Sequence, residues 1–415
     1  MRANRVWRRV LGVEHTMVES VELDGDGPGA VLVARVRVRA GQASRCSRCR
    51  RRCPRYDAGS ARRRWRGLDL GTTQVFLEAD TERVSCPEHG VVVAHVPWAR
   101  PAARFTTAFE DTTAWLVAHA ALSVVAILLR IAWRSVAAIV TRVVAERAAQ
   151  TDRLTGLRRI GIDEISYRRG QRYLLVVVDH DTGRLVWAGK DRTTATLQKF
   201  FDALGEQRSA ELTHVSADGA QWIHDTVAAR APQVVLCLDA FHVVAWATAA
   251  LDAVRRGTWN QLRQLGDTQA ARQLKGSRWA LLRNPPDLSG AQRTTLAVIA
   301  AVNKPLYRAY LLKEQLREVF ATKGKRGRTL LAGWLSWARR SRLPEFVKLA
   351  KTITKFRPLI HNTLDHGLGN ARSEATNTHL RLLTRRAYGY HSAEALIAMA
   401  NLTRGGLCPP LPGRP

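Results

Sequence analysis

Four acids in this 415-residue chain stand where metal-assisted chemistry would need them. GIDEIS sets Asp163 beside Glu164, between Ile162 and Ile165, so a carboxylate lies inside a run apolar enough to be half or fully buried. A buried carboxylate needs a partner, either an arginine or a metal ion. The metal reading gains from repetition: LTHVSADGAQWI ends its apolar run in Asp218, and VVLCLDAFHVV ends in Asp239 with His242 three residues on. The fourth acid, Glu374, lies in ARSEATNTHLRLLTRRAYGY. Read as a helix, that segment puts Ala371, Ala375, Thr378 and Leu382 on one stripe, expected to pack. Glu374, Asn377, Arg381 and Arg385 share a neighbouring stripe, suited to phosphate, where Glu374 is either half of a local ion pair or a ligand.

A second set of residues has zinc chemistry. RCSRCRRRC and VSCPEHG place Cys46, Cys49, Cys86 and His89 as two ligand pairs separated by about forty residues of strand-like sequence, the pattern of a tetrahedral zinc ribbon. Cysteines of a cytosolic chain favour metal over disulfide, and Cys53 is a rival ligand. Around the first pair crowd Arg45, Arg48, Arg50, Arg51, Arg52 and Arg55, followed by Arg62, Arg63, Arg64 and Arg66. So dense a cluster on a metal-stapled module reads as a phosphate-contacting face or, at its plainest, as a solvated surface.

The acids need elements to hold them. Three short apolar runs joined by turns read as a meander: a strand carrying Asp163, a polar turn through Arg168 to Arg172, a buried strand ending at Asp179 and Asp181, a DTG turn, and a strand from Leu185. TTATLQKFFDALGEQ then has helical spacing and stops at Gly205, and AQWIHDTVAARAP reads as a second helix, between the runs ending in Asp218 and Asp239. Strand, strand, strand, helix, strand, helix, strand is the order of a ribonuclease H-like domain, with two parallel strands added to three antiparallel ones. A long helical region follows, from about residue 243 to 369.

Sixty-five basic residues against 35 acidic give a formal charge of +30, which points to a polyanionic partner and first to nucleic acid, with ribosome association or arginine-biased composition as plainer sources. AVLVARVRVRAG alternates as a strand with Val and Ala on one face and Arg on the other. HVPWARPAAR reads as a proline-rich linker. From Thr106 the pattern is helical in three pieces, the middle one opening with Ser123 as N-cap, the third apolar at Val136, Ile139, Val140, Val143 and Val144. Two short helices and a longer one suit a helix-turn-helix with Arg134 facing DNA, though packing alone also explains the apolar faces. TAWLVAHAALSVVAILLRIAW, broken by His119 and Ser123, reads as two packed helices and not as a membrane span. No secretory signal opens the chain, so a cytoplasmic, DNA-associated protein is expected.

Together the zinc knuckles, the helical triplet, GIDEISYRRGQRYLLVVVDHDTGRL, DAFHVV with ALDAVRR, KPLYRAYLLKEQLR and SEATNTHLRLLTRRAYGYHS resemble the insertion-sequence transposases of the ISL-three family, a branch of the DDE class, from Cys46 to about Thr403. The resemblance implies a zinc-ribbon DNA-binding domain (1–98), a helix-turn-helix domain (99–152), and a ribonuclease H-like catalytic core (153–242) interrupted by an all-helical insertion (243–369) before the final helix with Glu374 (370–404). The second knuckle is CPEH where the family usually has two cysteines, and NARSE replaces the usual Asn-Gly before the catalytic Glu.

It further implies phosphoryl transfer with two Mg2+ or Mn2+ ions, roughly 4 Å apart, held by carboxylates. Asp163 would bridge both, with a second aspartate and Glu374 on either side. In a ribonuclease H-like sheet Asp218 is one strand spacing from Asp163 and Asp239 two, at about 4.8 Å each. Asp218 is therefore the expected ligand, and Asp239 with His242 an orienting pair behind it. One structural zinc, DNA as partner, a homo-oligomer on DNA and no membrane complete the expectation. A DNA-binding regulator without catalysis and a ribonuclease H-like host nuclease are the other readings.

Overall fold

The computed structural model describes residues 2–59, 62–168, 172–368, 371–387, 390 and 392–414, with backbone alone at 2–4, 28, 371–374 and 386. Its elements are numbered in chain order. Two units separate, Met1–Thr151 with Asn401–Pro415, and Asp152–Ala400.

The first unit opens with α1 (Arg2–Val10), β1 (Thr16–Asp24) and β2 (Val31–Val38), followed by β3 (Arg55–Asp57), β4 (Arg62–Arg66), β5 (Gln74–Asp80), β6 (Arg83–Cys86) and β7 (Gly90–Val93). They form a four-stranded sheet in the order β1-β2-β5-β4 and a three-stranded sheet β3-β6-β7. The alternation expected in β2 holds: Ala34 and Val36 are buried with Val18, Trp65, Leu77 and Trp98, while Arg35 and Arg37 are exposed beside Glu22 and Glu19. In β4, Trp65 turns inward, and Arg62 and Arg64 turn outward to pair with Asp80 and Glu78 of β5. Arg66 is buried and paired with Asp69, so it is not part of an exposed phosphate face.

The segment expected to be a proline-rich linker is packed. Trp98 is buried with its ring 5.5 Å from that of Trp65, edge to face. The Arg66 amide donates to the Arg104 carbonyl and the Thr106 amide to the Arg66 carbonyl, both at 2.9 Å. Arg100, its side chain 5% exposed, contacts Glu110 at 3.2 Å, Asp111 at 2.7 Å and Glu146 at 2.6 Å. Burial holds the Glu110 and Asp111 carboxyls above their usual range, against the opposing pull of the arginines beside them. One tryptophan and one arginine supply the anchors that proline and alanine do not.

Three helices follow: α2 (Thr107–His119), α3 (Leu122–Leu128) and α4 (Trp133–Gln150). Thr106 caps α2 by accepting from the Phe109 amide. Ser123 is not the cap of α3: that helix starts at Leu122 after Ala121, and Ser123 lies in its first turn. All five apolar residues expected on α4 are buried. The axes of α3 and α4 differ by 105°, within the range of a helix-turn-helix. Among the described residues no single helix is long and apolar enough to cross a membrane.

The second unit begins with β8 (Arg159–Arg168), β9 (Arg172–Asp179), β10 (Leu185–Lys190), α5 (Thr194–Leu204), a short α6 (Glu206–Glu211), β11 (His214–Ala217), α7 (Gln221–Arg230) and β12 (Val235–Leu238). The turn expected between Arg168 and Arg172 lies, at 169–171, outside the described residues. The sheet runs β10-β9-β8-β11-β12, antiparallel through β8 and parallel from β8 to β12, the ribonuclease H-like order. Ile160 and Ile162 pack with Leu197, Phe200 and Phe201 of α5 and with Ile223 and Val227 of α7. Asp179 is spent on its turn, accepting from the Asp181 amide and the Thr182 hydroxyl.

Eight helices form the insertion: α8 (Ala240–Gln264), α9 (Thr268–Gly276), α10 (Arg278–Leu282), α11 (Gly290–Val302), α12 (Lys304–Thr322), α13 (Gly324–Arg340), α14 (Pro344–Lys355) and α15 (Arg357–His366). Their core gathers Leu251, Leu316, Trp334 and Phe346, with the Trp334 indole donating to the Leu312 carbonyl at 2.8 Å. The chain returns to the sheet through α15: Asn362 donates to the Leu236 carbonyl at 2.9 Å and the Thr363 hydroxyl to the Leu238 carbonyl at 2.6 Å, both on the outer strand β12. Then come α16 (Ala371–Arg386), which packs on β8 and β9, and α17 (Ala393–Arg404).

Candidate metal and acid sites

Cys46 and Cys49 lie on a tight turn, where the Arg48 amide points at the Cys46 sulfur at 3.4 Å and Arg50 takes φ 62°. Cys86 ends β6, and His89 lies in the turn to β7. Their ligand atoms all lie within 4.8 Å of one another. A tetrahedral zinc with bonds of about 2.3 Å to sulfur and about 2.05 Å to nitrogen has edges of about 3.8 Å between sulfurs and about 3.6 Å between sulfur and nitrogen. The Cys49 and Cys86 sulfurs are 3.7 Å apart, and His89 Nδ1 is 3.6 Å from the Cys86 sulfur and 3.8 Å from that of Cys46. Burial pushes the Cys86 thiol up, but hydrogen bonds from His89 and from the Glu88 and His89 amides bring it down to about 6. The donor set and spacing thus fit one zinc. Glu88 lies 3.7 Å from His89 Nε2, where it steadies the ring. The rival Cys53 is buried close by, outside the four-ligand group, with its thiol donating to the Arg51 carbonyl. Arg48, Arg50, Arg51 and Arg52 are exposed around this knuckle, Arg63 is half-buried over the Trp65 ring, and Arg64 is exposed but paired with Glu78. Arg134 is exposed at the start of α4, 5.8 Å from the Trp133 ring.

The acids gather at one end of the five-stranded sheet. Val215 pairs with Ile160 and Ser216 with Gly161, and Ala217 of β11 pairs with Leu238 of β12. Continuing that register puts Asp218 level with Asp163 on one side and with Asp239 on the other. Side chains alternate along β8, so Ile160 and Ile162 face α5 and α7 while Asp163 faces α16. Asp163 is buried. Its Oδ1 accepts from the Glu164 amide at 2.7 Å, and its Oδ2 accepts from Nδ2 of Asn377 on α16. Burial pushes its carboxyl above the usual range, and the charge of His242 opposes that.

Asp218 is half-buried. Its Oδ1 takes the Ala220 amide at 2.9 Å, and its carbonyl accepts from the His224 ring at 2.7 Å. Asp239 is buried and engaged on both oxygens: it caps α8 through the Phe241 amide at 2.9 Å and receives His242 Nδ1 at 2.6 Å. That hydrogen bond pushes the His242 ring up to about 9, so it is an imidazolium at neutral pH. The charges felt most by Asp163 are those of His242 and Asp239, whereas Glu164 feels Asp218. Strand order alone had singled out Asp218 as the near neighbour. Among the described residues only the Cys/His set brings three or more ligand atoms within 4.8 Å of one another, so the aspartates share a level without converging. Their donors are nonetheless all hard oxygens, and the buried Oδ1 of Asn377 has no partner among the described residues. Such a set fits a divalent cation of the magnesium type.

The side chain of Glu374 lies outside the described residues; the backbone places it on α16, one turn before Asn377. The face of α16 that packs differs from the expected stripe. Thr376, Asn377, Leu380 and Leu383 are buried, while Ala375, Thr378 and Leu382 are exposed. The small residues misled, because the helix buries a polar pair, Thr376 and Asn377, against the acid site. Arg381 and Arg385 are exposed, as expected. Two residues near the acids had been given no role: Glu164, paired with Arg192 at 3.3 Å, and Arg192 itself, 4.0 Å from the Tyr173 ring. The acid doublet at 163 and 164 was the available signal for the first; nothing local marked the second.

Three family models match the chain: one described as transposase over residues 160–400, one as the zinc-finger of transposase IS204/IS1001/IS1096/IS1165 over 42–89, and one as the helix-turn-helix domain of transposase family ISL3 over 94–144. The chain is 51% identical, over its whole length and 98% of the relative's, to the transposase for insertion sequence element IS1557 of Mycobacterium tuberculosis. It is 27% identical, over 91% of its length and 92% of the relative's, to the transposase for insertion sequence element IS1001 of Bordetella parapertussis.

Proposed function

This chain belongs to the ISL3 family of insertion-sequence transposases, and from that premise we propose that it cuts DNA at its element's ends and joins the freed ends to target DNA by metal-assisted phosphoryl transfer. The observation that carries this reading is the row of Asp163, Asp218 and Asp239 across three parallel strands, with α16 hydrogen-bonded to the first of them.

Asp163, Asp218 and Glu374 would hold two divalent cations, Mg2+ or Mn2+. When bound, these neutralise charge on the attacking and leaving oxygens. Asp163, on the strand next to that of Asp218 and hydrogen-bonded to the helix that carries Glu374, would be the ligand common to both ions. Asp239 turns both oxygens to its own helix and to His242, and so acts behind Asp218 as an orienting group. The His242 ring, raised by its hydrogen bond to Asp239, offers positive charge to a phosphate. Water attacks at the element end, and the 3′ hydroxyl so released attacks the target strand. No protein nucleophile takes part.

The modules divide the labour along the boundaries 1–98 for the zinc ribbon, 99–152 for the helix-turn-helix, 153–242 with 370–404 for catalysis and 243–369 for the helical insertion. One zinc on Cys46, Cys49, Cys86 and His89 stiffens the first module. Arg48, Arg50, Arg51, Arg52, Arg63 and Arg64 contact phosphate there, Arg134 does so in the helix-turn-helix, and Arg381 and Arg385 do so beside the acids. Because an element has two ends to bring together, the protein acts as a homo-oligomer on DNA, in the bacterial cytoplasm.

The test incubates the protein with Mg2+ and a DNA fragment bearing the element's ends, and maps the breaks. Nicks at the element boundary, lost in Asp163→Asn, are expected. End binding without nicks would make the protein a DNA-binding regulator, and nicks without joining a ribonuclease H-like nuclease.

A further inference from the structure

Asn377 has a part in this site that motif spacing does not assign. It is 3% exposed, and its two amide atoms are in different situations. Nδ2 donates to Asp163 Oδ2, an orientation that chemistry fixes because an ionised carboxylate only accepts. Oδ1 is then a buried acceptor without a partner among the described residues. Leaving such an acceptor unsatisfied carries the whole penalty of stripping its water, so a native structure keeps one where something else fills the vacancy or where the site has a use for it. Thr376, its neighbour in sequence, is buried beside it, and Leu380 and Leu383 carry the packing of the same helix face. The helix therefore has apolar groups enough to dock, and the polar residue at 377 adds to its seating only through the hydrogen bond to Asp163.

We infer that Asn377 is a positioning residue of the catalytic centre: its amide nitrogen fixes the Asp163 carboxylate, and its Oδ1 accepts from water held by a divalent cation at that carboxylate. This rests on the reading of Asp163 as a metal ligand. One side chain thereby ties the bridging acid to the helix that carries Glu374, so the orientation of Asp163 and the seating of α16 are set together. Outer partners of this kind tune how tightly a carboxylate site holds its ion.

The experiment measures Mn2+ binding to the full-length protein by electron paramagnetic resonance, without DNA, for the parent, Asp163→Asn, Asn377→Leu and Asn377→Ala, and records each thermal melt. Asp163→Asn is expected to lose the site. Asn377→Leu and Asn377→Ala are expected to bind Mn2+ about 10- to 100-fold more weakly, the usual effect of removing an outer partner. Asn377→Leu removes an unsatisfied buried acceptor and also the hydrogen bond to Asp163, so its melt is expected to shift little. A lower melt together with unchanged Mn2+ affinity in the Asn377 variants would make the residue structural only and overturn the inference. If Asn377→Leu does not fold, Asn377→Ala, which favours helix, decides on the same comparison. Unchanged Mn2+ binding in Asp163→Asn would instead overturn the reading of the acid site itself.

Discussion

Asp218 and Asp239 each follow one member of a paired couple, Ala217 and Leu238, so the two acids leave adjacent parallel strands at the same level. What separates them is their strand. Asp239 ends the outer strand and is held by the Phe241 amide and His242 of its own helix, whereas Asp218 stands half-buried beside the strand that carries Asp163. Asp218→Asn is expected to abolish Mg2+-dependent cleavage. Asp239→Asn should leave a measurable residue, about 10- to 100-fold below the parent, as for an outer-sphere partner. A nicking assay that found the opposite order in folded variants would move the catalytic role to Asp239.

DNA recognition should separate from chemistry. Glu374→Gln is expected to bind the element's ends like the parent, with an affinity that falls steeply with salt because many arginines contact phosphate, and to cut nothing. Gel-shift titrations at two salt concentrations beside a cleavage assay would check both halves. Normal cleavage by this variant in Mg2+ would remove Glu374 from the site.

Zinc should be stoichiometric and structural. The protein is expected to hold about one zinc ion, to lose end binding when a chelator removes it, and to keep its zinc in Cys53→Ser. Metal analysis of the purified variants provides the test; zinc lost only in Cys53→Ser would replace one of the four ligands.

Arg100 should be the costliest single arginine to remove. It is buried among Glu110, Asp111 and Glu146, and its loss leaves Glu110, fully buried, with only Arg142 as counter-ion. Breaking a buried network in this way costs about 3–5 kcal/mol. Urea unfolding of Arg100→Leu, followed by tryptophan fluorescence, should show the loss. A change below about 1 kcal/mol, the scale of a surface pair, would contradict the burial argument.

Much of this was legible in the residues. Asp163 lies in an apolar run between Ile162 and Ile165, and the helix and turn signals after it give the order of elements along the chain. Cys46, Cys49, Cys86 and His89 announce their geometry because zinc demands fixed ligand types. What escaped was decided by contacts distant in sequence. Composition made 95–104 a linker, but Trp98 finds Trp65 and Arg100 finds three acids, none of them visible locally. Apolar content points to the wrong packing face of α16, because the helix turns Asn377 inward to meet an acid 214 residues away. Residue type alone makes Ser123 a cap, but α3 begins one residue earlier.

The hydrogen bonds from Asn362 and Thr363 to the carbonyls of β12 give the helical insertion a second duty. They occupy acceptors on the rim of the sheet that would otherwise be a template for a foreign strand. A trimmed protein that joined residue 242 directly to residue 370 would keep every acid of the row yet bare that rim. Its failure would therefore show first as self-association through strand addition, before any defect in chemistry could be measured. Through these two bonds the insertion would guard the sheet edge against strand addition as well as space the chain before Glu374.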